Sequence, residues 1–388
     1  MRLRRALAPV RMLTSLGRGV LVLAIVATVL AAWLNWQEFT QLGVVAIVLL
    51  ALGVLWQVWP GEPTADLVLR PSRLVEGGTA PTVTVDFRAG AAPMLFPRVT
   101  LPIGRRSVSM RLPFLAPYAH HRESVPLPSL PRGVYVVGPV TYEKTDPVGL
   151  VSRRFESGTP VELLVAPRVT DLPVFAGGLT HDLDGATSQQ LSMSDLAFHA
   201  LREYAPGDDL RHVHWRSSAK AGELLVRQYH ETHRGHVTVL VDDARTSYPR
   251  PRDFELAVSV AASIALRAVR DDFDTYLRSG THVARGRGAD AMSDAACRFE
   301  AGEDRYLEHA ADAAATVPVT GLVVQVTGGG RDLEQLDAVA RRFEGGAAWI
   351  VVRADSGGET YLRDSHELRE ISVPDLVQLG ELLARGMR

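Results

Sequence analysis

The sequence contains a single cysteine, Cys297, so no disulfide can form within the chain. A chain of this kind suits a reducing compartment. The sequence also lacks a Gly-x-Ser-x-Gly elbow, a Walker loop, a His-Glu-x-x-His motif and a dinucleotide fingerprint. No long basic stripe occurs, and the formal net charge is −2. These absences disfavour several common enzyme classes and argue against a nucleic-acid partner.

Two uncharged apolar runs stand side by side near the N-terminus, at 19–37 and 39–61, and only Glu38 separates them. Each run reaches the ~20 residues that a helix needs to cross a hydrocarbon core. A backbone in lipid must satisfy its own hydrogen bonds. The pattern therefore predicts a hairpin of two transmembrane helices over 19–59.

The basic N-terminal segment, 1–18, indicates the orientation of this hairpin. It contains no acid and five arginines, Arg2, Arg4, Arg5, Arg11 and Arg18. Since basic flanks stay in the cytoplasm, we expect both termini and residues 62–388 on the inner side of the cell membrane, in a multi-pass protein. A cleaved signal peptide would also fit the basic start, although the second run would still anchor the chain.

Short β-branched runs separated by glycine and proline fill residues 64–165. This spacing is typical of a β-sandwich, which we expect to act as a scaffold. Beyond it, apolar strands alternate with helices over 236–388. The alternation predicts a parallel sheet covered on both faces, whose sites lie beyond the carboxyl ends of the strands.

A dense motif segment, 166–235, separates these two regions. Asp208 is expected to cap a helix that begins one or two residues later, and Gly222 is expected to end it. A strand over 223–229 should follow. We expect His214 and Trp215 to pack between this segment and the sheet, with the Trp215 ring buried.

The motif in this segment has a recognisable order. It reads Tyr204-x-Pro206-Gly207-Asp208-Asp209-x-Arg211-x-Val213-His214-Trp215-x-x-Ser218-Ala219-Lys220-x-Gly222. This pattern resembles the DUF58 family of bacterial proteins, whose C-terminal part resembles a von Willebrand factor A domain. The resemblance extends to 132–135 and 146–150, and with the preceding hairpin and β-rich region it covers nearly the whole chain. It implies a membrane hairpin, a β-sandwich-like domain and an α/β von Willebrand A-like parallel-sheet domain.

The resemblance also implies where a metal would bind. Von Willebrand A domains often hold a divalent cation on an Asp-x-Ser-x-Ser pattern after the first strand, completed by a distant Thr and Asp. Here the matching residues are Asp242, Ala244 and Thr246. Ala244 offers no side-chain oxygen, and no acid stands at 327–330. Oxygen ligands suit Mg²⁺ or Ca²⁺, but Asp242 and Thr246 form a degenerate site, and we expect no cofactor.

Half of the 12 histidines lie in one stretch: His199, His212, His214, His230, His233 and His236. A zinc site needs three or four ligands that converge tetrahedrally. The rings of His212 and His214, which form a His-x-His pair, would point about 200° apart on a helix. The cluster therefore favours His214 as a packed residue and the other five as solvated ones.

The adjacent carboxylates of Asp208 and Asp209 raise the alternative of an enzyme of unknown reaction, with its site over 208–215. Helix capping and pairing with a nearby arginine explain the same residues. We therefore expect a membrane-anchored, cytoplasm-facing adaptor that binds a protein partner. Proteins resembling this family commonly accompany MoxR-type AAA+ ATPases, which implies a shared role in envelope-related assembly.

Overall fold

The structure is a computed structural model. It describes residues 12–58, 63–78, 81–174, 196–205, 213–231, 236–317, 320–343, 347–365 and 368–386. The chain divides into two compact units, Met1–Val165 and Ala166–Arg388.

Both apolar runs of the first unit are helical. Helix α1 spans Ser15–Leu34 and helix α2 spans Gln37–Val58. The Thr14 side chain caps α1, and Asn35 ends it in the left-handed conformation. Each helix is long and apolar enough to cross a membrane, by length and composition. The prediction of two adjacent apolar helices is therefore confirmed.

The two helices pack closely because a small residue lies at their contact. A Cβ atom on Gly43 of α2 would lie 3.0 Å from Thr28 Oγ1 of α1. The Thr28 hydroxyl in turn donates to the Ala24 carbonyl at 2.7 Å. Close approach at small residues is how apolar helices associate without a hydrophobic driving force between them.

The rest of the first unit consists of antiparallel strands. They are β1 (Thr64–Arg70), β2 (Arg73–Val75), β3 (Thr82–Arg88), β4 (Arg98–Ile103), β5 (Arg106–Arg111), β6 (His120–Pro126), β7 (Gly133–Val137), β8 (Val140–Thr145), β9 (Ser152–Ser157) and β10 (Val161–Ala166). One sheet has the order β1-β3-β6, and the other has the order β2-β10-β7-β4-β8-β9, with β5 paired to β4. Alternate side chains of both sheets, such as Phe87 and Tyr142, share one buried core. The fold is β-sandwich-like, as predicted.

The helix pair is attached to the β8–β9 connection of the same unit. The Gln57 side chain, near the end of α2, donates to the carbonyls of Lys144 and Val151 at 3.1 and 3.0 Å. At the start of α1, Thr14 Oγ1 donates to the Gly149 carbonyl at 2.7 Å. A Cβ atom on Gly17 would lie 2.0 Å from the Leu150 carbonyl oxygen. Only glycine fits at that position.

The second unit is built around a seven-stranded sheet with the order β15-β14-β13-β16-β17-β19-β18. Its strands are β13 (His236–Val241), β14 (Asp274–Ser279), β15 (His282–Gly286), β16 (Leu322–Gly328), β17 (Ala348–Ala354), β18 (Tyr361–Ser365) and β19 (Leu368–Val373). The five inner strands are parallel, whereas the edge strands β15 and β18 are antiparallel. The sheet is therefore mixed, and the hairpins that add both edges were not predicted.

Helices cover both faces of this sheet. Helix α4 (Pro251–Arg270) packs on one face, where its Ile264 joins Val239, Val324 and Val352 in the core. Helices α6 (Tyr306–Thr316) and α7 (Leu333–Ala340) pack on the other. Helices α5 (Ala289–Cys297) and α8 (Leu379–Gly386) also belong to this unit. The parallel strands bring the loops that follow β13, β16 and β17 to one edge.

We predict that Gly17→Ala destabilises the first unit by about 1–3 kcal/mol, because the added methyl overpacks the contact with Leu150. Gly19→Ala is the matched control, since a Cβ there meets nothing within 4 Å. Thermal unfolding of the full chain in detergent micelles measures both. Equal melting temperatures for the two variants would contradict the contact.

Candidate functional site

The DUF58-like motif lies partly within the described residues. Tyr204, His214, Trp215, Ser218 and Gly222 are described. Pro206, Gly207, Asp208, Asp209 and Arg211 lie outside the described residues, and so do His212 and His233 and the side chains of His199 and His230. The capping role of Asp208 and the paired-carboxylate alternative therefore stay predictions.

The motif helix, α3, begins later than the sequence suggested. It spans Trp215–Ala221, and His214 is its N-cap, accepting from the Ser217 amide on Nδ1 at 3.2 Å. The preceding Val213 is not helical, since it forms a β-bridge with Val226. The predicted helix start near residue 209 is therefore wrong for 213 and 214. Gly222 ends the helix in the left-handed conformation, as expected.

Trp215 does not anchor this helix. Its side chain is 64% exposed, so the expectation of a buried ring is wrong. Ser218 is the buried residue of α3, and its hydroxyl accepts from the Leu225 amide at 2.8 Å and donates to the His214 carbonyl at 3.2 Å. These bonds tie α3 to strand β12 (Leu225–Glu231), which pairs antiparallel with β11 (Leu196–Glu203). Strand β12 begins two residues later than predicted.

A buried aspartate stands at the carboxyl edge of the sheet. Asp242 follows β13, and its side chain is inaccessible to solvent. Its Oδ1 accepts from the Ala244 amide at 3.0 Å, and its backbone carbonyl accepts from the Tyr248 hydroxyl at 2.6 Å. The turn 242–248 is thereby folded around the aspartate.

Arg331 neutralises this aspartate. Its Nε donates to Asp242 Oδ2 and its Nη2 to Oδ1, both at 2.8 Å, and the Thr327 hydroxyl donates to Oδ2 at 2.7 Å. A bidentate guanidinium–carboxylate pair of this kind is among the strongest polar contacts in proteins. Both oxygens of Asp242 are thus occupied by donors from the chain itself.

A second aspartate, Asp304, binds the same guanidinium from the solvent side. Asp304 accepts from Arg331 Nη1 and Nη2 at 2.9 and 2.8 Å. Burial lowers the pKa of the Arg331 guanidinium, but its hydrogen bonds to Asp242 and Asp304 outweigh this effect and raise that pKa above the usual value. The bond from Arg331 chiefly lowers the pKa of Asp304. Arg331 therefore stays charged.

Polar side chains beside the Asp242–Arg331 pair also contact one another within the chain. Asp243 and His309 are both largely buried, and Asp243 Oδ2 lies 3.2 Å from His309 Nδ1. Burial is the main cause that raises the pKa of Asp243. The Tyr306 hydroxyl donates to Gln325 Oε1 at 2.9 Å, and the Tyr306 ring lies 5.3 Å from the Arg331 guanidinium.

The two residues expected to form a degenerate metal site lie in different environments. Thr246 is exposed in the 3₁₀ turn Arg245–Ser247, whereas Asp242 is buried beneath Arg331. Among the residues that the structure describes, no group of three or more His, Cys, Asp or Glu side chains could hold a metal ion. Sequence reasoning missed Arg331, although its position directly after a strand and three glycines was a usable signal.

One histidine of the cluster is not solvated. His236 is half-buried at the start of β13, and neither ring nitrogen has a hydrogen-bond partner among the described residues. Burial is the main cause that lowers its pKa. The expectation of a solvated ring is therefore wrong for His236.

The comparisons with known proteins can be set beside this geometry. Residues 200–279 match the family model described as "Protein of unknown function DUF58". This match covers the end of β11 and all of α3, β12, β13, α4 and β14, and it ends before Arg331. No curated protein matches the chain significantly.

A solved structure, the CARDB domain of the PF1109 protein from Pyrococcus furiosus in complex with di-metal ions, is similar to part of the chain. The two are 11% identical with a TM-score of 0.21, over 27% of this chain and 93% of that one. A likeness at this TM-score supports no conclusion about this chain.

We predict that Arg331→Met destabilises the second unit by about 3–5 kcal/mol, because it leaves the buried Asp242 carboxylate without its cation. Arg305→Met is the matched control, since Arg305 pairs with Glu308 in full view of solvent. Thermal unfolding of the full chain in micelles measures both. A melting temperature for Arg331→Met as high as that of the control would contradict the role of the pair.

Proposed function

We propose that the chain is a membrane-anchored, cytoplasm-facing interaction protein whose second unit binds a protein partner without a metal ion. The observation that carries the proposal is the bidentate pair between Arg331 and Asp242. Since both oxygens of this buried carboxylate accept from the chain itself, Asp242 is not open to a cation, and partner binding at this edge would not need one. The loops after β13, β16 and β17 would then recognise a partner by shape and ordinary polar contacts.

The von Willebrand A-like assignment of the second unit belongs to this proposal. Its support is the order of the parallel strands, with β13 inside the sheet, helices on both faces, and an aspartate at the end of β13. In that assignment the Arg331 guanidinium takes the charge-balancing role that a divalent cation has elsewhere.

The helix pair supports the membrane part of the proposal. Its outward side chains are largely apolar and exposed, as Val22, Ile25, Ile47 and Leu52 illustrate. Only 17% and 22% of the most apolar windows of α1 and α2 are buried within the chain. A soluble core helix would be mostly covered, so lipid is the environment that suits these surfaces.

A MoxR-type AAA+ ATPase is the partner we propose, in an assembly role at the cell envelope. The DUF58 match over 200–279 and the association implied by that resemblance support it. A membrane-bound adaptor would place such an ATPase beside its envelope target.

The orientation can be measured with reporters fused after Arg388. We expect a cytoplasmic reporter to be active there, because the arginines before α1 hold the N-terminus inside and the hairpin returns the chain to the same side. The same fusion to a truncated chain that ends between α1 and α2 is the control and should report the opposite side. Periplasmic-type activity from the full-length fusion would contradict the orientation.

Partner binding can be tested by purifying the full chain from native membranes and measuring the recovered ATPase. We expect equal recovery with and without EDTA. Thr246→Arg should reduce recovery at least tenfold, since it places a long charged side chain on the exposed turn at the carboxyl edge.

Thr316→Arg is the matched control for that experiment. Thr316 is also an exposed threonine, but it ends α6 six residues before β16 begins, at the amino edge of the sheet. Equal loss from both variants, or loss of the ATPase in EDTA, would contradict metal-free binding at the carboxyl-edge loops.

A further inference from the structure

A cleft of about 400 Å³ opens beside Arg331 and the two aspartates that pair with it, Asp242 and Asp304. It lies between the start of α7 and the β18–β19 hairpin. Strand pairing places Arg353 of β17 opposite Ser372 of β19, and Glu370 of β19 opposite Arg363 of β18. These side chains share the sheet face that α6 and α7 cover farther along. At this polar end of the face the cleft lies beside the start of α7, and Arg353, Glu370 and Ser372 are buried at its base.

The floor of this cleft contains a carboxylate oxygen without a donor. Glu370 is only 3% exposed. Its Oε1 accepts from Arg353 Nε and from the Tyr361 hydroxyl. Its Oε2 is buried and accepts no hydrogen bond from the described residues. Buried polar atoms are nearly always paired, so Oε2 can accept a further donor.

The position of Arg363 indicates that this donor should carry a positive charge. The Arg363 guanidinium lies 5.5 Å from the Tyr361 ring centroid, and its Nη1 is 3.8 Å from Glu370 Oε2. That distance is too long for a hydrogen bond. The Arg363 side chain is 64% exposed and therefore displaceable. An aromatic face beside a carboxylate is a favourable place for a cation.

The charges around the cleft also favour a cation over an anion. Asp332 and Glu359 stand exposed at its rim. The charge of Arg331 is balanced by Asp242 and Asp304. Arg353 is paired with Glu370, and its Nη1 donates to the carbonyls of Gly328 and Arg331. Only Arg363 would be available to an anion.

We propose that this cleft binds an arginine or lysine side chain exposed on a protein partner. The incoming guanidinium or ammonium group donates to Glu370 Oε2, lies against the Tyr361 ring and displaces Arg363. This inference rests on the proposed function and adds the chemistry by which the partner is recognised.

The test uses the full chain in nanodiscs of zwitterionic lipid, with empty nanodiscs as a blank. Saturation-transfer NMR measures binding of three peptides, acetyl-Gly-Arg-Gly-amide, its lysine form and its glutamate form. We expect saturable binding of the arginine and lysine peptides and at least tenfold weaker binding of the glutamate peptide.

Two variants should change the arginine-peptide affinity in opposite directions. Glu370→Gln should weaken it at least tenfold, because the vacant carboxylate oxygen is lost. Arg363→Ala should strengthen it severalfold, because the competing cation is removed. Arg369→Ala is the matched control, since it removes one positive charge from the neighbouring position of β19 on the opposite sheet face, and it should change the affinity less than twofold.

Glu370 also pairs with Arg353, so its variant must be shown to fold by thermal unfolding. Tyr361→Leu is the second variant, because it removes the ring while retaining the pair, and it should weaken the peptide at least threefold. The site is overturned by weaker binding in Arg363→Ala, by unchanged binding in folded Glu370→Gln or in Tyr361→Leu, or by equal binding of the glutamate peptide.

The two proposals fail separately. Recovery of the ATPase by a chain that binds no arginine or lysine peptide overturns the cleft and leaves the proposed function standing. Peptide binding by a chain that recovers no ATPase overturns the proposed partner and leaves the cleft standing.

Discussion

The carboxyl edge of the second unit depends on the ion pair between Asp242 and Arg331. Its partners belong to loops that follow two adjacent parallel strands, β13 and β16, and Thr327 at the end of β16 joins the same carboxylate. Removing Arg331 would leave the buried Asp242 carboxylate without a cation, whereas removing Asp242 would leave Arg331 paired with Asp304 alone. The pair therefore holds two loops in one arrangement and gives the neighbouring cleft a rigid wall.

Much of the fold follows from local patterns. The two apolar helices, the β-sandwich-like layer and the inner parallel strands are each encoded by hydropathy over short windows. The pairing of Arg331 with Asp242 is not, because the two residues are 89 positions apart in sequence. The prediction that Trp215 is buried was wrong for a related reason, since a helical pattern does not say which side of the helix another element covers. The β18–β19 hairpin was missed because both strands carry charges such as Arg363 and Glu370.

The motif and the edge network are different kinds of feature. In the motif, Ser218 and His214 use their side chains to join α3 to β12, which is a structural task. At the carboxyl edge, the charge of Arg331 is balanced by Asp242 and Asp304. The cleft differs from both, since Glu370 retains an acceptor that the described chain does not use.

The attachment of the helix pair has a mechanical consequence. Thr14 at the start of α1 and Gln57 near the end of α2 both bond to the β8–β9 connection, so the two helices are held at the same end. In the proposed membrane setting, the sandwich would therefore be fixed to the helix pair and not joined to it by a flexible linker alone. A force on the sandwich would be transmitted directly to the paired helices and through them to the bilayer.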